Sequence, residues 1–290
     1  MGDTTQSTKE NSDTDGFRCL VGGAALMPFH DVTRRLVDEY ALDYDGHKLS
    51  MSRPDASNVL FVSATLDPAI TGAYDETNER SVGIQTHALS RALSEVSVGR
   101  GNSNGDAVTL AYNDSQRRFT TSFTQEVDEI EMRHESVFST LDPDSIRRDK
   151  TVENLTEAVD PGVQVRLPRD ALVSALEAAA GSGGLGKNTR ITSDGSNLRF
   201  VSDGADGTEE EVTIPDVAEP SPERSAAEAS VSSWFTDTHL ADIQRAVDAG
   251  LRAEDKVTMR LGDDTLLHLT ATRPDVGLHF DLLLAPRVTA

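Results

Sequence analysis

The order of hydrophobic and polar residues predicts a chain of short strands and a few amphipathic helices. Toward the carboxyl end, Leu240, Ile243 and Val247 recur at helical spacing and predict a helix over 237–248. A hairpin with strands at 257–261 and 266–270 follows, and a last apolar strand covers 278–284. Pro286 ends this strand, because proline has no N–H to donate to a ladder.

The earlier part of the chain shows the same sequence of elements. Its first half predicts a strand at 17–21, a helix over about 26–42, strands at 48–51, 58–66 and 81–84, a helix over 86–96 and a hairpin at 107–112 and 118–123. The pattern restarts with a strand at 163–167, a helix opened by Pro168 and strands near 190, 197 and 209. The repeat, at a spacing of about 140 residues, predicts an α+β chain of two topologically similar domains with antiparallel sheets. A generic α+β order without duplication is the alternative.

Composition suggests where the domains divide. Residues 1–16 are polar and acidic and predict a disordered tail. Residues 141–161 are charged, contain Pro143 and Pro161 and lack periodicity, which is typical of a linker. We therefore predict a first domain at 17–140, an interdomain connector at 141–161 and a second domain at 162–290.

The sequence carries 49 acidic and 27 basic residues, a formal net charge of −22. Its carboxylates occur in every segment and lysine is scarce, which is typical of adaptation to high salt, where charge is screened within a few ångströms. In such a medium counterion release adds little affinity for DNA, so a DNA-binding protein would hold its duplex by shape. We expect the protein in the cytoplasm of a prokaryotic cell with high internal salt.

The sequence gives no indication of a membrane or an oxidising compartment. It has no apolar run of the ~20 residues that a membrane helix needs, and its amino terminus lacks the apolar core of a secretory signal. Its single cysteine, Cys19, can form no internal disulfide and is expected to be a buried small hydrophobe.

Two short motifs resemble enzyme sites, and we favour a structural interpretation of both. The segment 181–187 resembles a phosphate-binding loop, but Asn188 replaces the hydroxyl that holds magnesium, and a helix enters the loop instead of leaving it. Gly262, Asp263 and Asp264 resemble a polymerase metal site, yet these residue types also favour a tight turn. The seven histidines show no metal-ligand spacing. We predict no catalytic residue, metal or cofactor.

Several stretches resemble, in order, the DNA sliding clamps of the proliferating cell nuclear antigen (PCNA) family in its archaeal form. The most specific are Leu-Asp-Pro-Asp-Ser-Ile-Arg at 141–147, similar to the connector entry of haloarchaeal clamps, and Leu-Ala-Pro-Arg-Val at 284–288. Segments 49–59 and 82–93 resemble the family's strand–turn–strand and the second helix of its first domain. The tail, an added segment near 126–135 and the divergence elsewhere suggest a diverged copy, and a viral origin in a halophile is a hypothesis.

The resemblance implies that three chains close into a ring with helices lining the hole and sheets outside. An edge strand near 117–123 would pair with one near 209–214 of the next chain, which also removes two open sheet edges. The homotrimer would encircle double-stranded DNA without sequence specificity. It would tether a DNA polymerase, a clamp loader and other proteins with clamp-binding peptides, and it would not be an enzyme.

The resemblance also implies which residues face DNA. The predicted DNA-binding residues are Arg34, Arg35, Arg91, Lys187 and Arg245. In the third helix the family's cations correspond to Ser174 and Glu177, and a glutamate there is expected to weaken the attraction of DNA on that side. A solvated charge on a helix face is the alternative interpretation of each arginine.

Partners of this family carry a short motif, with an apolar plug and two aromatics, that docks under the connector. The positions that match this pocket are Val59, Phe61, Ile146, Leu283, Ala285 and Pro286. The aromatic often found at the position of Leu283 is absent, as is a proline near Leu266, so the pocket is expected to differ in shape or partner choice. Ordinary core and edge positions are the alternative.

Other functions remain open at this point. The main alternative is a divergent clamp-like protein that hetero-oligomerises or stays monomeric and binds partners without encircling DNA. An enzyme that uses 181–187 or 262–264, and a halophilic β-rich binding module unrelated to replication, are the others.

Overall fold

The fold comes from a computed structural model of the 290-residue chain. The residues described are 16–67, 79–94, 96, 107–127, 130–148, 150–157, 161–181, 188–203, 209–220 and 230–287. The first half contains β1 Gly16–Gly22, α1 Gly23–Arg34, β2 Glu39–Tyr44, β3 Leu49–Pro54, β4 Leu60–Leu66, β5 Arg80–Gln85, α2 Thr86–Leu93, β6 Ala107–Asn113, β7 Arg118–Val127 and β8 Ile130–Ser139. A 3-10 helix, Pro143–Ser145, and α3 Val152–Thr156 follow. The second half contains β9 Val163–Pro168, α4 Arg169–Gly181, β10 Asn188–Asp194, β11 Leu198–Asp203, β12 Glu209–Ile214, β13 Ala218–Pro220, β14 Ser230–Thr236, α5 Asp237–Gly250, β15 Lys256–Leu261, β16 Leu267–Arg273 and β17 Leu278–Leu284.

The described strands form three antiparallel sheets. One four-stranded sheet has the order β1-β6-β7-β8, and the other has the order β12-β11-β10-β14. A nine-stranded sheet, β13-β9-β15-β16-β17-β4-β3-β2-β5, joins strands of both halves. The chain is therefore α+β, as its sequence predicts.

The two halves have the same topology. The order β1-α1-β2-β3-β4-β5-α2-β6-β7-β8 matches β9-α4-β10-β11-β12-β14-α5-β15-β16-β17, with β13 as an addition. The sheet β1-β6-β7-β8 corresponds to β9-β15-β16-β17, and β12-β11-β10-β14 corresponds to β4-β3-β2-β5. The predicted duplication is confirmed, and the predicted connector lies between β8 and β9.

The halves are joined where β17 pairs with β4, which we call the closed junction. Phe280 lies opposite Ala64 and Leu282 lies opposite Val62, and these side chains are at most 1% exposed. Burial of aliphatic surface on this scale stabilises a protein by roughly 1.5–3 kcal/mol for each large side chain. One hydrophobic core therefore runs through both halves.

The long helices form a layer on the core side of the sheets. Along this layer α2 contacts α1, α1 contacts α5 and α5 contacts α4, so helices of the two halves meet in the middle. The approach of α1 and α5 depends on Gly250, since a Cβ there would lie 2.3 Å from Cγ2 of Val32. A larger residue at this position would force the two helices apart.

Several sequence-based boundaries are wrong. The helix predicted over 86–96 ends at Leu93, and Pro168, predicted to open a helix, is the last residue of β9. The helix predicted over 26–42 ends at Arg34, and the backbone N–H of Val37 donates to the Thr33 carbonyl 3.0 Å away. Tyr40 and Leu42 belong to β2 instead, where they and Tyr44 recur at every second residue and bury one face of the strand. Gly16, predicted to end the tail, is the first residue of β1, while residues 1–15 lie outside the described part.

Candidate functional site

The closed junction brings most of the predicted pocket residues together. Phe61 of β4 lies directly opposite Leu283 of β17, and the Ala285 N–H donates to the Val59 carbonyl at 2.8 Å. The side chains of Phe61 and Leu283 point away from the helices, yet they are only 4% and 1% exposed. Neither belongs to the continuous core, while Val59, Ala285 and Pro286 are half-buried. The result is a small apolar row on the outer side of the sheet.

The segment between the halves brings the sixth predicted residue to this side. Asp142 caps the 3-10 helix by accepting the Asp144 N–H at 3.0 Å, and Ile146, directly after it, is 3% exposed. Arg147 donates to the Asn58 side chain, next to Val59. Arg148 bonds Asp43 at 2.9 Å and also contacts Ser81. These bonds anchor the start of the connector on the first half.

The turn between β3 and β4 is held by Asp55. One of its oxygens accepts the N–H groups of Val59 and Leu60 at 2.9 and 3.0 Å, and the other lies 3.5 Å from His239 of α5. Burial alone would raise the pKa of Asp55, but the hydrogen bonds from Ser57 and from the two backbone N–H groups lower it. This carboxylate therefore fixes the end of the apolar row and ties it to the helix layer.

The predicted DNA-binding arginines fall into two groups. Arg34 forms an ion pair with Asp31 at 2.6 Å, and Arg245 forms one with Asp242 at 2.5 Å, each on its own helix. Arg35 and Arg91 are exposed, and among the described residues neither has a carboxylate partner. Lys187 lies outside the described residues.

The helices of the second half carry more negative charge. Ser174 and Glu177 are exposed on α4, as the sequence predicts. Arg169 is not available for DNA, because it forms ion pairs with Asp170 and Asp248. Among the exposed charges of the described helix layer, the free cations are therefore on α2 and at the end of α1.

Two edge strands, β8 and β12, are the equivalents of β17 and β4, the strands that pair at the closed junction, but they do not pair with each other. In the described chain β8 ends one four-stranded sheet and β12 ends the other. The predicted edge strand near 117–123 is wrong: β7 lies between β6 and β8. The prediction missed β8 because its core-facing positions are only partly apolar, with His134 and Ser136 where β17 has Phe280 and Leu282.

A polar network that the sequence did not predict lies beside the apolar row. Nε2 of His268 and Nε2 of His279 lie 2.8 and 2.9 Å from the two oxygens of Asp281. Arg260 lies 3.4 Å from Nδ1 of His268 and donates to Gln164 at 3.2 Å. Arginine can only donate, so Nδ1 of His268 accepts and its Nε2–H points at Asp281. Alternation along the strands could have indicated these positions, but not the register that joins them.

Of the two motifs that resemble enzyme sites, the structure describes the turn at 262–264. Gly262 to Asp264 form the turn between β15 and β16, with the Asp263 carboxylate accepting the Ser232 N–H at 2.7 Å and Asp264 at a φ of 47°. Of the glycine-rich segment 181–187, Gly181 is the last residue of α4 and residues 182–187 lie outside the described part. No three His, Cys, Asp or Glu side chains within the described ranges are grouped so that they could hold a metal. No helix of the described chain is long and apolar enough to cross a membrane.

Comparison with known proteins shows the fold. No protein-family model matches the chain, and no curated protein matches its sequence. Among solved structures, A. fulgidus PCNA, bound to the C-terminal region of FEN-1, matches with a TM-score of 0.72 and 17% identity over 94% of this chain and 99% of that one. PCNA from Entamoeba histolytica matches with a TM-score of 0.74 and 13% identity over 94% and 99%. The chain therefore has the fold of PCNA sliding clamps, as its sequence predicts.

Proposed function

We propose that three copies of this chain close into a ring that encircles double-stranded DNA and acts as a sliding clamp. The ring tethers a replicative DNA polymerase and other replication and repair proteins, is opened by a clamp loader and performs no catalysis. One observation carries this proposal. The strands β8 and β12, which are equivalent to the paired strands β17 and β4 of the closed junction, each have a neighbour on one side only in the described chain. A second copy of the chain supplies each of them with a neighbour on the other side.

The repeat also predicts how β8 and β12 pair. His134 corresponds to Phe280, because each lies opposite the equivalent residue of the preceding strand, Phe123 or Ala271. By the same tracing, Val212 of β12 corresponds to Ala64 of β4. Since Phe280 pairs with Ala64 within the chain, His134 pairs with Val212 of the next copy. We call this β8–β12 contact the subunit junction.

This register also joins apolar side chains. Met132 and Val137 are the exposed large hydrophobic residues of the described chain, 39% and 52% accessible, and both lie on β8. In the same register, two residues along from the His134–Val212 pair, Met132 lies opposite Ile214, which is half-buried against the core of its own half. Pairing also supplies partners for the backbone N–H and C=O groups of both open edges.

The apolar row supports the tethering role. Phe61, Leu283 and Ile146 are held by the closed junction and by the connector, so the site is formed before a partner arrives. The half-buried Val59, Ala285 and Pro286 present apolar surface beside them, which fits the short apolar and aromatic motif that the resemblance implies. The structurally similar A. fulgidus PCNA binds the C-terminal region of FEN-1.

Light scattering at high salt tests the ring. We expect a mass about three times the chain mass of 31.2 kDa. The assembled protein should stimulate a polymerase on circular DNA more than on linear DNA with free ends, from which a ring slides off. A monomer at all salt concentrations, or equal stimulation of both templates, contradicts the proposal.

One observation favours a second candidate, in which the chain pairs with a different clamp-like subunit. In the register above, Glu135 of β8 faces Glu211 of the next copy, and like charges opposite each other destabilise a sheet. Each glutamate has its own arginine, however, Arg133 at 3.1 Å and Arg199 at 3.8 Å, which weakens the repulsion. Co-purification with a second clamp-like chain in a fixed ratio would support the heteromer.

A further inference from the structure

The outer side of the nine-stranded sheet, facing away from the helices, carries an ordered row of side chains. Along β15, Val257 and Met259 are core residues, so Thr258 and Arg260 lie on the other side. Strand register places one residue of each strand side by side. From β9 to β4 this row is Gln164, Arg260, His268, Leu283 and Phe61. The polar network and the apolar row are therefore two ends of one line.

This side has an unusual charge for so acidic a protein. The chain has 49 acidic residues against 27 basic ones. On the outer side of β9, β15, β16, β17 and β4, however, the charged and titratable residues are Arg166, Lys256, Arg260, His268, His279 and Asp281. We call this group the cationic face. Its single carboxylate, Asp281, already has both oxygens bonded to histidines. At the border of the face, on the edge strand β13, the exposed Glu219 lies opposite Gln164.

The three permanent cations of this face have no anionic partner among the described residues. Arg166 and Lys256 are exposed. Arg260 contacts the side chains of Gln164 at 3.2 Å and His268 at 3.4 Å, and neither is a carboxylate. Arginines on the helix layer, by contrast, are mostly paired, as Arg34 is with Asp31. The cationic face thus offers a carboxylate ligand three cations that no carboxylate of the described chain occupies.

We propose that the cationic face binds an acidic segment of the same partner protein whose apolar motif occupies the row at Leu283 and Phe61. The inference rests on the proposed peptide site and adds the chemistry of the partner: a run of Asp or Glu residues beside the apolar motif. The two ends are continuous, since His268 lies directly opposite Leu283. Charge pairing of this kind adds specificity and association rate more than affinity.

A nucleic acid fits this face less well. Single strands are held by cations together with exposed aromatic rings on which bases stack. The exposed large hydrophobic residues of the described chain are Met132 and Val137, both on β8, so this face presents no exposed aromatic ring on which a base could stack. Arg260 is half-buried beside the apolar row, where a carboxylate on a flexible side chain can reach it but a phosphate backbone cannot lie flat.

Peptide binding measured by fluorescence anisotropy tests the proposal on the full chain. The probes are synthetic peptides with an apolar plug and two aromatics, extended at either end by a glutamate-rich, a lysine-rich or a glycine–serine run. At about 0.1 M salt, where the Debye length is about 10 Å, we expect one glutamate extension to tighten binding by about three- to tenfold over the neutral extension. The lysine extension should weaken it, and high salt should remove both differences.

Variants identify the face. The double substitution Arg166→Gln with Lys256→Gln removes two exposed charges and should abolish the gain from glutamate while leaving the neutral peptide unaffected. Lys48→Gln, at an exposed residue on the turn between β2 and β3, is the matched control and should keep the gain.

The outcomes separate this proposal from the clamp proposal. Equal binding of acidic and neutral extensions overturns the cationic face while leaving the peptide site intact. Binding of none of the peptides overturns the peptide site and this inference together, whereas the ring is judged by its mass. An oligothymidine is the competitor that tests for nucleic acid. If it displaces the glutamate-extended peptide from the wild type, and the double variant no longer binds it, the face binds phosphate and the acidic-segment proposal fails.

Discussion

The closed junction and the proposed subunit junction occupy equivalent positions of the two halves but involve different residues. Within the chain, β17 and β4 meet through Phe280, Leu282, Ala64 and Val62, all buried. Between copies, the equivalent positions carry His134, Ser136, Val212 and Glu210. Because apolar burial supplies most of the favourable free energy of association, we expect the contact between copies to be weaker than the contact within the chain. The proposed ring, which must open around DNA, would need one junction of each kind.

The largest expected effect is at the closed junction. Phe280→Ala removes a fully buried ring and should lower the free energy of unfolding by about 3–5 kcal/mol. The matched change at the equivalent open position, His134→Ala, should cost the isolated chain less than about 1 kcal/mol. Chemical denaturation followed by circular dichroism measures both. Equal losses of stability in the two variants would show that β8 and β17 contribute equally to the fold of the chain, which contradicts this comparison.

The next effect separates assembly from folding. Met132→Glu places a charge at the apolar contact of the subunit junction and should convert trimers into monomers. The free energy of unfolding of the chain should change by no more than about 0.5 kcal/mol, since Met132 is 39% exposed. Light scattering and denaturation are the measurements. The control Gln116→Glu adds the same charge on the turn between β6 and β7 and should leave the trimer intact.

A stabilising change sharpens the same comparison. Glu210 stands where the closed junction has Val62, so Glu210→Val should make the subunit junction more like its counterpart. We expect the trimer to dissociate at about tenfold lower protein concentration, which corresponds to roughly 1.4 kcal/mol. Sedimentation at several salt concentrations measures this. Glu157→Val, an exposed site after α3, is the control, and an equal gain there would indicate non-specific association.

The helices of the two halves also differ in the pairing of their arginines, which the proposed function places toward DNA. Arg91 is exposed and unpaired within the described chain, whereas Asp242 neutralises Arg245. Arg91→Gln should therefore reduce the dependence of DNA binding on salt, with the slope of log K against log salt falling by about 0.9 for one lost phosphate contact. Arg245→Gln should change that slope less. The reverse order would mean that the ion pair with Asp242 opens on DNA.

The smallest effect is a pH dependence of stability from the polar network. The hydrogen bond to Asp281 raises the pKa of His279, although partial burial opposes this. Burial would raise the pKa of Asp281, but hydrogen bonds from His268 and His279 hold it far below its usual range. His279 therefore stabilises the fold below its ordinary pKa of about 6.5, and this contribution is lost as pH rises through its raised value.

His279→Asn removes that contribution. The variant's free energy of unfolding should fall less than the wild type's between pH 6 and the raised pKa of His279, because the histidine proton no longer links folding to pH. Asp281 contributes in the opposite direction, with stability lost only in acid as the pH falls below about 3.9. His47→Asn, at an exposed turn, is the control for the general effect of losing a histidine. If the free energy of unfolding of the wild type and of His279→Asn changes with pH in the same way, His279 does not contribute the proposed pH dependence.

Sequence patterns predicted most elements but few of the contacts between them. The helix α5 and the strands after it were predictable because Leu240, Ile243 and Val247 show one clear period. The error at Tyr40 and Leu42 arose because these residues fit both a helical and an alternating pattern. Strand β8 was missed because Glu131, Arg133 and His134 do not resemble a half-buried strand. In each case the local period was ambiguous, and tertiary burial decided the outcome.

The candidate site divides in the same way. Resemblance to a family indicated Phe61 and Leu283, and the structure places them opposite each other. It could not indicate the network around Asp281, because that network depends on the register of four strands. It also could not indicate that Arg34 and Arg245 are neutralised by carboxylates three residues before them. Spacing places residues on one face, but only the folded structure shows which charges are paired.

Disulfide trapping of the subunit junction tests the central claim most directly. In the variant Met132→Cys with Ile214→Cys, the two new thiols face each other only if β8 and β12 of neighbouring chains pair in the register given by the closed junction. Cys19 does not interfere, because burial raises its pKa to about 12 and keeps it protonated. We expect mild oxidation to produce a covalently closed trimer, while Met132→Cys with Thr213→Cys, on opposite faces, produces little. Absence of a cross-linked trimer in the first variant, or equal trapping in both, would contradict the ring.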